Sequence, residues 1–173
     1  MKLVNAVLIS ILLTACSSGG GSSVNIAQTA SLPPEPDRAA NNKTLAGIDT
    51  TGTGVRDDVY RYIFQNYTST HKRNAMMQSA KAFRKIYIAP PTTKTEALAI
   101  AKDVHRSVDC FFSYASAGHY TSDDAYSLLV NIRTLHTDTK ERMKAFDSYN
   151  QLLDGTGGPV TSTAGSCDAG GGL

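Results

Sequence analysis

Tryptophan is absent from this 173-residue chain, and phenylalanine and tyrosine together supply only 8% of it. Charge of one sign is scarce too: 17 Lys and Arg stand against 15 Asp and Glu, a formal net charge of +2. So small an excess excludes a nucleic-acid binder held by bulk electrostatics. No apolar run reaches the roughly 20 residues that span a bilayer; the longest, Leu3 to Leu13, is about half that. No segment alternates apolar and polar residues with a sustained period of two, which argues against a sheet. The signatures of common catalytic sites are missing: there is no HExxH, CxxC or His-x-His cluster, no Gly-x-Ser-x-Gly elbow and no dinucleotide-binding fingerprint. The length excludes a large multidomain enzyme, while a hydrophobic fraction of 41% is enough to bury a core.

The chain does carry an address at its start. Lys2 precedes the apolar run, which meets Thr14-Ala15-Cys16. A short apolar stretch ending in small residues reads as a secretory signal rather than a membrane span. Leu13-Thr14-Ala15-Cys16 further resembles the lipobox of bacterial lipoproteins, which implies that Cys16 is acylated, with fatty chains of the palmitate kind, and becomes the first mature residue. Several acyl chains exceed what stable anchoring requires. In Gram-negative lipoproteins a serine after that cysteine, here Ser17, implies sorting to the outer membrane. The following Ser17–Ser23 stretch and Leu32-Pro33-Pro34-Glu35-Pro36 lack periodicity, so residues 16–43 are expected to be a flexible tether.

From Val55 onward apolar residues recur at three and four, predicting an all-α domain over about 44–155, a small bundle of four to five helices. The first helix, near 56–67, presents Val55, Val59, Tyr62, Ile63 and Tyr67. The second, near 71–88, presents Met76, Ala80, Phe83 and Tyr87 and stops at Pro90-Pro91, where the prolines lack a donor. The third opens with the capping-box spacing of Thr93 and Glu96, carries Ala97, Ala101, Val104, Val108, Phe111 and Ala115, and ends at Gly118. A fourth begins at Ser122 and carries Leu128, Leu129, Ile132 and Leu135. A fifth restarts at Asp138 with Met143, Phe146, Tyr149 and Leu153 inward. The pattern leaves open whether the last two are continuous through His136-Thr137. The acidic pairs Asp57-Asp58 and Asp123-Asp124 fall where helix N-termini favour negative charge, and read as caps rather than an acid–base couple.

Residues 156–173 form a glycine-rich tail. With Cys16 taken by lipid, Cys110 and Cys167 remain, and in an oxidising compartment they are expected to pair, against the alternative of two free or separately paired thiols. That bridge closes a 57-residue interval and constrains the unfolded chain by about 4 kcal/mol.

Residues 47–62 read GIDTTGTGVRDDVYRY. Asp49, Thr51, Thr53, Val55 and Asp57 fall at alternate positions around Gly54 and resemble the calcium loops of thrombospondin type-3 repeats and EF-hands. The resemblance implies a calcium ion held by these five residues, but threonines replace two carboxylates and Tyr60 stands where the loop needs a closing carboxylate, so the stretch is expected to be a glycine turn leading into the first helix through a Thr or Asp cap. No other cofactor is expected. The same stretch resembles small Gram-negative lipoproteins that carry a Gly-Ile-Asp…Gly-Val-Arg-Asp-Asp-Val turn, continue through Arg142 and Tyr149-Asn150, and end near a cysteine. It implies an envelope location and a helical fold rather than an activity.

His105 and Asp109 share a face of the third helix, but His71, His119 and His136 fall at separate helix ends, so no zinc site is expected. Between Asp58 and Glu96 there is no acidic residue. Arg73, Lys81, Arg84 and Lys85 gather on one side of the second helix, a candidate docking face for an anionic protein or lipid head groups. The expected function is accordingly non-enzymatic: an outer-membrane lipoprotein presenting a helical protein-binding module to the periplasm, for example an inhibitor or immunity protein. The alternatives are a pilotin-like accessory of a secretion or pilus complex and a calcium-binding envelope lipoprotein.

Overall fold

The structure, a computed structural model, describes residues 32–157 and 165–168. The signal segment, Cys16 and most of the expected tether lie outside the described residues. Six helices and no strand are found among those described: α1 Arg38–Asn41, α2 Asp57–Asn66, α3 Thr70–Ile88, α4 Lys94–Ser116, α5 Ser122–His136 and α6 Lys140–Leu152. The fold is all-α, and the five longer helices stand where the spacing predicts them.

Most of the helix starts have a local cause. Ser69 accepts from the Lys72 amide to start α3, which ends before Pro90. Thr93 and Glu96 close a reciprocal capping box at α4, and Thr121 with Asp124 closes another at α5. Glycines with positive φ follow α4 at Gly118 and α6 at Gly155, a backbone region that other residues rarely enter. Thr137–Thr139 separates α5 from α6, where Thr139 caps the new helix, so the two are not continuous.

The long α3 is the axis of the bundle and packs against α2, α4, α5 and α6. Its Ala75, Met76, Ala80, Phe83 and Ile86 meet Val59 and Ile63 of α2, Ala97, Ala101 and Phe111 of α4, and Leu128 and Ile132 of α5 in one buried cluster. Full burial of a side chain of this size contributes roughly 1.5–3 kcal/mol, so the stripes read from sequence account for most of the core. One member of the expected inner face is misplaced. Met143 points outward and is 44% exposed, because the buried position on that turn of α6 belongs to Arg142.

The expected pairing of cysteines is present: Cys110 of α4 is bonded to Cys167, with Cα atoms 4.7 Å apart. Residues 165–168 are thereby fixed on α3 and α4.

The expected tether boundary at 43 is corrected. Pro33 is buried, α1 is capped by Asp37, and Arg61 holds the Pro33 carbonyl at 2.8 Å and the Glu35 carboxylate. Proline-rich sequence without periodicity looks like a linker, yet here it is held by side chains of the helices it crosses.

Candidate functional site

The ordered N-terminal stretch, residues 41–58, is fastened to the α5–α6 corner by two buried guanidinium groups. Arg142, 1% exposed, uses all five of its N–H bonds. Its Nε donates to the Leu45 carbonyl at 3.0 Å, Nη1 to Asn42 Oδ1 and Asp138 Oδ1, and Nη2 to the Asn41 and Thr44 carbonyls. Arg56, 3% exposed, donates to Asp58 at 2.6 Å, to both carboxylate oxygens of Asp138 and to the Leu135 carbonyl. Two cations thus meet two anions, which is what allows charge to be buried at all. Burial alone would raise the Asp138 carboxyl, but Arg142 and Arg56 outweigh it and hold it below the usual carboxylate range. Asn41 completes the clasp, accepting from the Ile48 amide and donating to Asp58.

Gly47 has φ +64°, and a Cβ there would lie 2.3 Å from Arg56 Cδ and 2.8 Å from Asn41 Oδ1. Only glycine lets the backbone pass this close to the buried guanidinium.

The loop beyond it is built in the opposite sense to a cation site. Asp49 Oδ1 accepts from the Thr53 amide, and its Oδ2 accepts from the Gly54 amide and from Arg84 at 2.8 Å. Asp57, almost wholly buried, turns back to the amide and hydroxyl of Thr50. The carboxylates are therefore ringed by donors rather than gathered round an ion, and Thr51 and Thr53 bond to each other. Among the described residues no group of three His, Cys, Asp or Glu is placed to hold a metal. The candidate calcium residues Asp49, Thr51, Thr53, Val55 and Asp57 thus lie in a turn whose two carboxylates are bonded to donors of the turn and to Arg84.

The candidate docking face on α3 is corrected. Arg73 is buried, donates to the Tyr67 and Phe64 carbonyls at the end of α2 and stacks over the Phe64 ring at 4.8 Å. Arg84 belongs to Asp49 and the Ala46 carbonyl. Lys85 is paired with Asp103, and Lys81 is exposed. Half of the four cations hold the fold together.

His136 is 1% exposed, between the rings of Phe83 and Tyr87, with centroids 5.9 and 5.8 Å away. Its Nε2 and the Tyr87 hydroxyl have no hydrogen-bond partner. Desolvation, with the nearby charges of Arg56, Arg142 and Arg84, pushes the imidazole down to about 3. At the far end of the bundle His71 and His119 stack at 3.5 Å, edge-on to Tyr114. Desolvation and His119 hold His71 below its ordinary value.

The exposed counterpart of the clasp is a groove of about 580 Å³ between the end of α5 and α6. Met143 and Phe146 give it an apolar strip; Arg133, Asp138, Asp147 and Asn150 supply a polar rim. Its walls are fixed from beneath, since Asp138 and the neighbouring Arg142 are locked to residues 41–58. The sequence did not single out the groove, and it marked Arg142 only as part of a resemblance, with no role. Comparison with family models, with curated proteins and with solved structures gives no match for this chain.

Proposed function

We propose that the protein is an outer-membrane lipoprotein, anchored through Cys16, that presents its helical domain as a protein-binding module. The observation that carries this reading is the α5–α6 groove, where a half-exposed methionine and an aromatic ring lie within a charged rim on a rigid frame. An apolar centre with a polar rim is the usual anatomy of a protein contact. It replaces the basic face of α3, whose arginines are spent internally. An inhibitor or immunity protein fits this description, as does a pilotin-like accessory.

Mass spectrometry of the mature chain tests the anchor, and an unacylated Cys16 would remove it. A photo-reactive residue in place of Met143, activated in intact envelopes, is expected to give one defined protein adduct. The same residue in place of the exposed Ser127 is expected to give none. Equal labelling from both positions, or none from either, refutes the groove. Deletion then separates the two versions: sensitivity to a neighbouring cell's toxin marks an immunity protein, and a mislocalised outer-membrane complex marks an accessory.

A further inference from the structure

The short segment 165–168 is held in a way that a covalent staple alone does not require. Gln78 of α3 is 6% exposed, and its side-chain amide faces the tail backbone with both of its ends. Nε2 donates to the Ser166 carbonyl at 2.8 Å, and Oε1 accepts from the Asp168 amide at 2.9 Å. This two-point pairing, flanking Cys167, is what one residue of a parallel ladder makes with the neighbours of its opposite number. It reads main chain rather than side chain. From α4, Arg106 donates to the same Ser166 carbonyl at 3.2 Å and to the Asp168 carboxylate at 2.6 Å. Beyond Asp168 the slot continues as a cleft of about 210 Å³ lined by Lys81, Lys85, Asp103 and Arg106, where cations outnumber anions.

The fit has one flaw. Ser166 is 5% exposed, and its hydroxyl finds no partner. A buried hydroxyl without a hydrogen bond weakens seating, so the segment is an imperfect occupant of its own slot.

We propose that the α3–α4 slot around Gln78 is a docking site for an extended acidic peptide segment of a partner protein, and that Ser166-Cys167-Asp168 fills it as a tethered stand-in. Backbone pairing supplies affinity for any extended chain, and Arg106 with Lys81 selects a carboxylate at the Asp168 position. The disulfide is the latch. Cys110 is fully buried and Cys167 is partly exposed, so an external thiolate reaches the Cys167 sulfur first. A mixed disulfide forms there and Cys110 leaves as a thiolate. A second external thiolate then attacks the external sulfur of the mixed disulfide and releases Cys167 as a thiolate, which takes a proton from water, and the two external thiolates end as one disulfide. The latch is shut under the oxidising conditions in which the cysteines pair, and it opens only where a thiol reductant supplies two electrons, so the slot is available under reducing conditions alone. The slot shares no residue with the α5–α6 groove and does not need the lipid anchor, so its test and the photo-crosslinking test fail independently.

The test uses fluorescence anisotropy with a labelled peptide, Ala-Gly-Ser-Ser-Asp-Ala, which copies residues 164–169 with serine in place of cysteine. Its target is the full chain carrying Cys110→Ser, Cys167→Ser and Asp168→Ala, with helicity checked at 222 nm. Saturable binding is expected, at least tenfold weaker for a peptide with Asn in place of Asp, and at least tenfold weaker when Gln78→Ala is added. The peptide with Ala at the Ser166 position is expected to bind several-fold tighter. The disulfide-intact chain is expected to bind none of them. Should the triple variant unfold, the phosphine-reduced wild-type chain takes its place, with weaker binding because its own tail competes. No saturable binding to the tail-released or reduced chain overturns the proposal, as does binding indifferent to Asp→Asn and to Gln78→Ala.

Discussion

Lowering the pH from 7.5 to 4.5 is expected to destabilise this protein through the buried imidazole of His136. The imidazole is buried against the rings of Phe83 and Tyr87, in the field of the Arg56, Arg142 and Arg84 charges, which Asp138 opposes. Its folded pKa of about 3 lies below the ordinary 6.5, so between these values the unfolded chain binds a proton that the folded chain refuses. Stability is then fully present above pH 6.5 and falls as the pH drops toward 3. Each unit in that window is worth about 1.4 kcal/mol, so roughly 2.5–3 kcal/mol is lost between pH 7.5 and pH 4.5. Asp138, held below its ordinary value, contributes in a lower window, under about pH 4, and does not blur the upper one. The assay is urea unfolding followed at 222 nm across this range, for the wild type and for His136→Phe. The phenyl ring keeps the stack and removes the titrating nitrogen. A loss of this size moves the urea midpoint by about 1 M or more. The expected result is a midpoint difference between the two proteins that changes by that amount from pH 7.5 to 4.5. A difference that stays flat refutes the reasoning, because it means that the imidazole accepts a proton without penalty.

Arg142→Met is expected to cost about 3–5 kcal/mol, since it strands three backbone carbonyls and takes one of two counter-ions from Asp138. In a thermal melt this is a drop of roughly 10 °C or more. Gly47→Ala is expected to cost about 2 kcal/mol or more, from a strained positive φ and a Cβ driven onto Arg56, and chemical denaturation of purified protein measures it. Arg73→Gln is expected to destabilise by about 1–3 kcal/mol through the lost carbonyl contacts at the end of α2, whereas Lys81→Gln stays within about 0.5 kcal/mol. Equal effects of these two substitutions would return Arg73 to the surface.

The helices were legible because their causes are local. Thr93 with Glu96, the prolines after α3 and the spacing from Ala97 to Phe111 lie within a turn or two of what they specify. The Cys110–Cys167 bond followed from counting thiols, which needs no geometry. The clasp was illegible for the opposite reason. Arg142, Arg73 and Arg84 sit at positions where a charged side chain on a helix reads as solvated, and nothing nearby reports that each meets acceptors from a distant segment. Asp49 and Asp57 had the spacing of ligands, but spacing does not say whether amides or an ion will face a carboxylate. Residues 32–43 lacked any apolar period because side chains from other elements, rather than a stripe of their own, hold them in place.

The Arg142 fork also sets an order of events in folding. Its bond to the Asn41 carbonyl joins residues 101 apart, and Arg56 reaches Asp138 across 82. Closing loops of that length is entropically costly and contributes late, whereas α2 through α5 pack on nearer neighbours. Arg84 of α3 can hold Ala46 and Asp49 as soon as α3 is made, but the carbonyls of Asn41, Thr44 and Leu45 do not meet the Arg142 fork until α6 is made. Those three carbonyls, early in the chain, are thus paired only once the last of the described helices is in place.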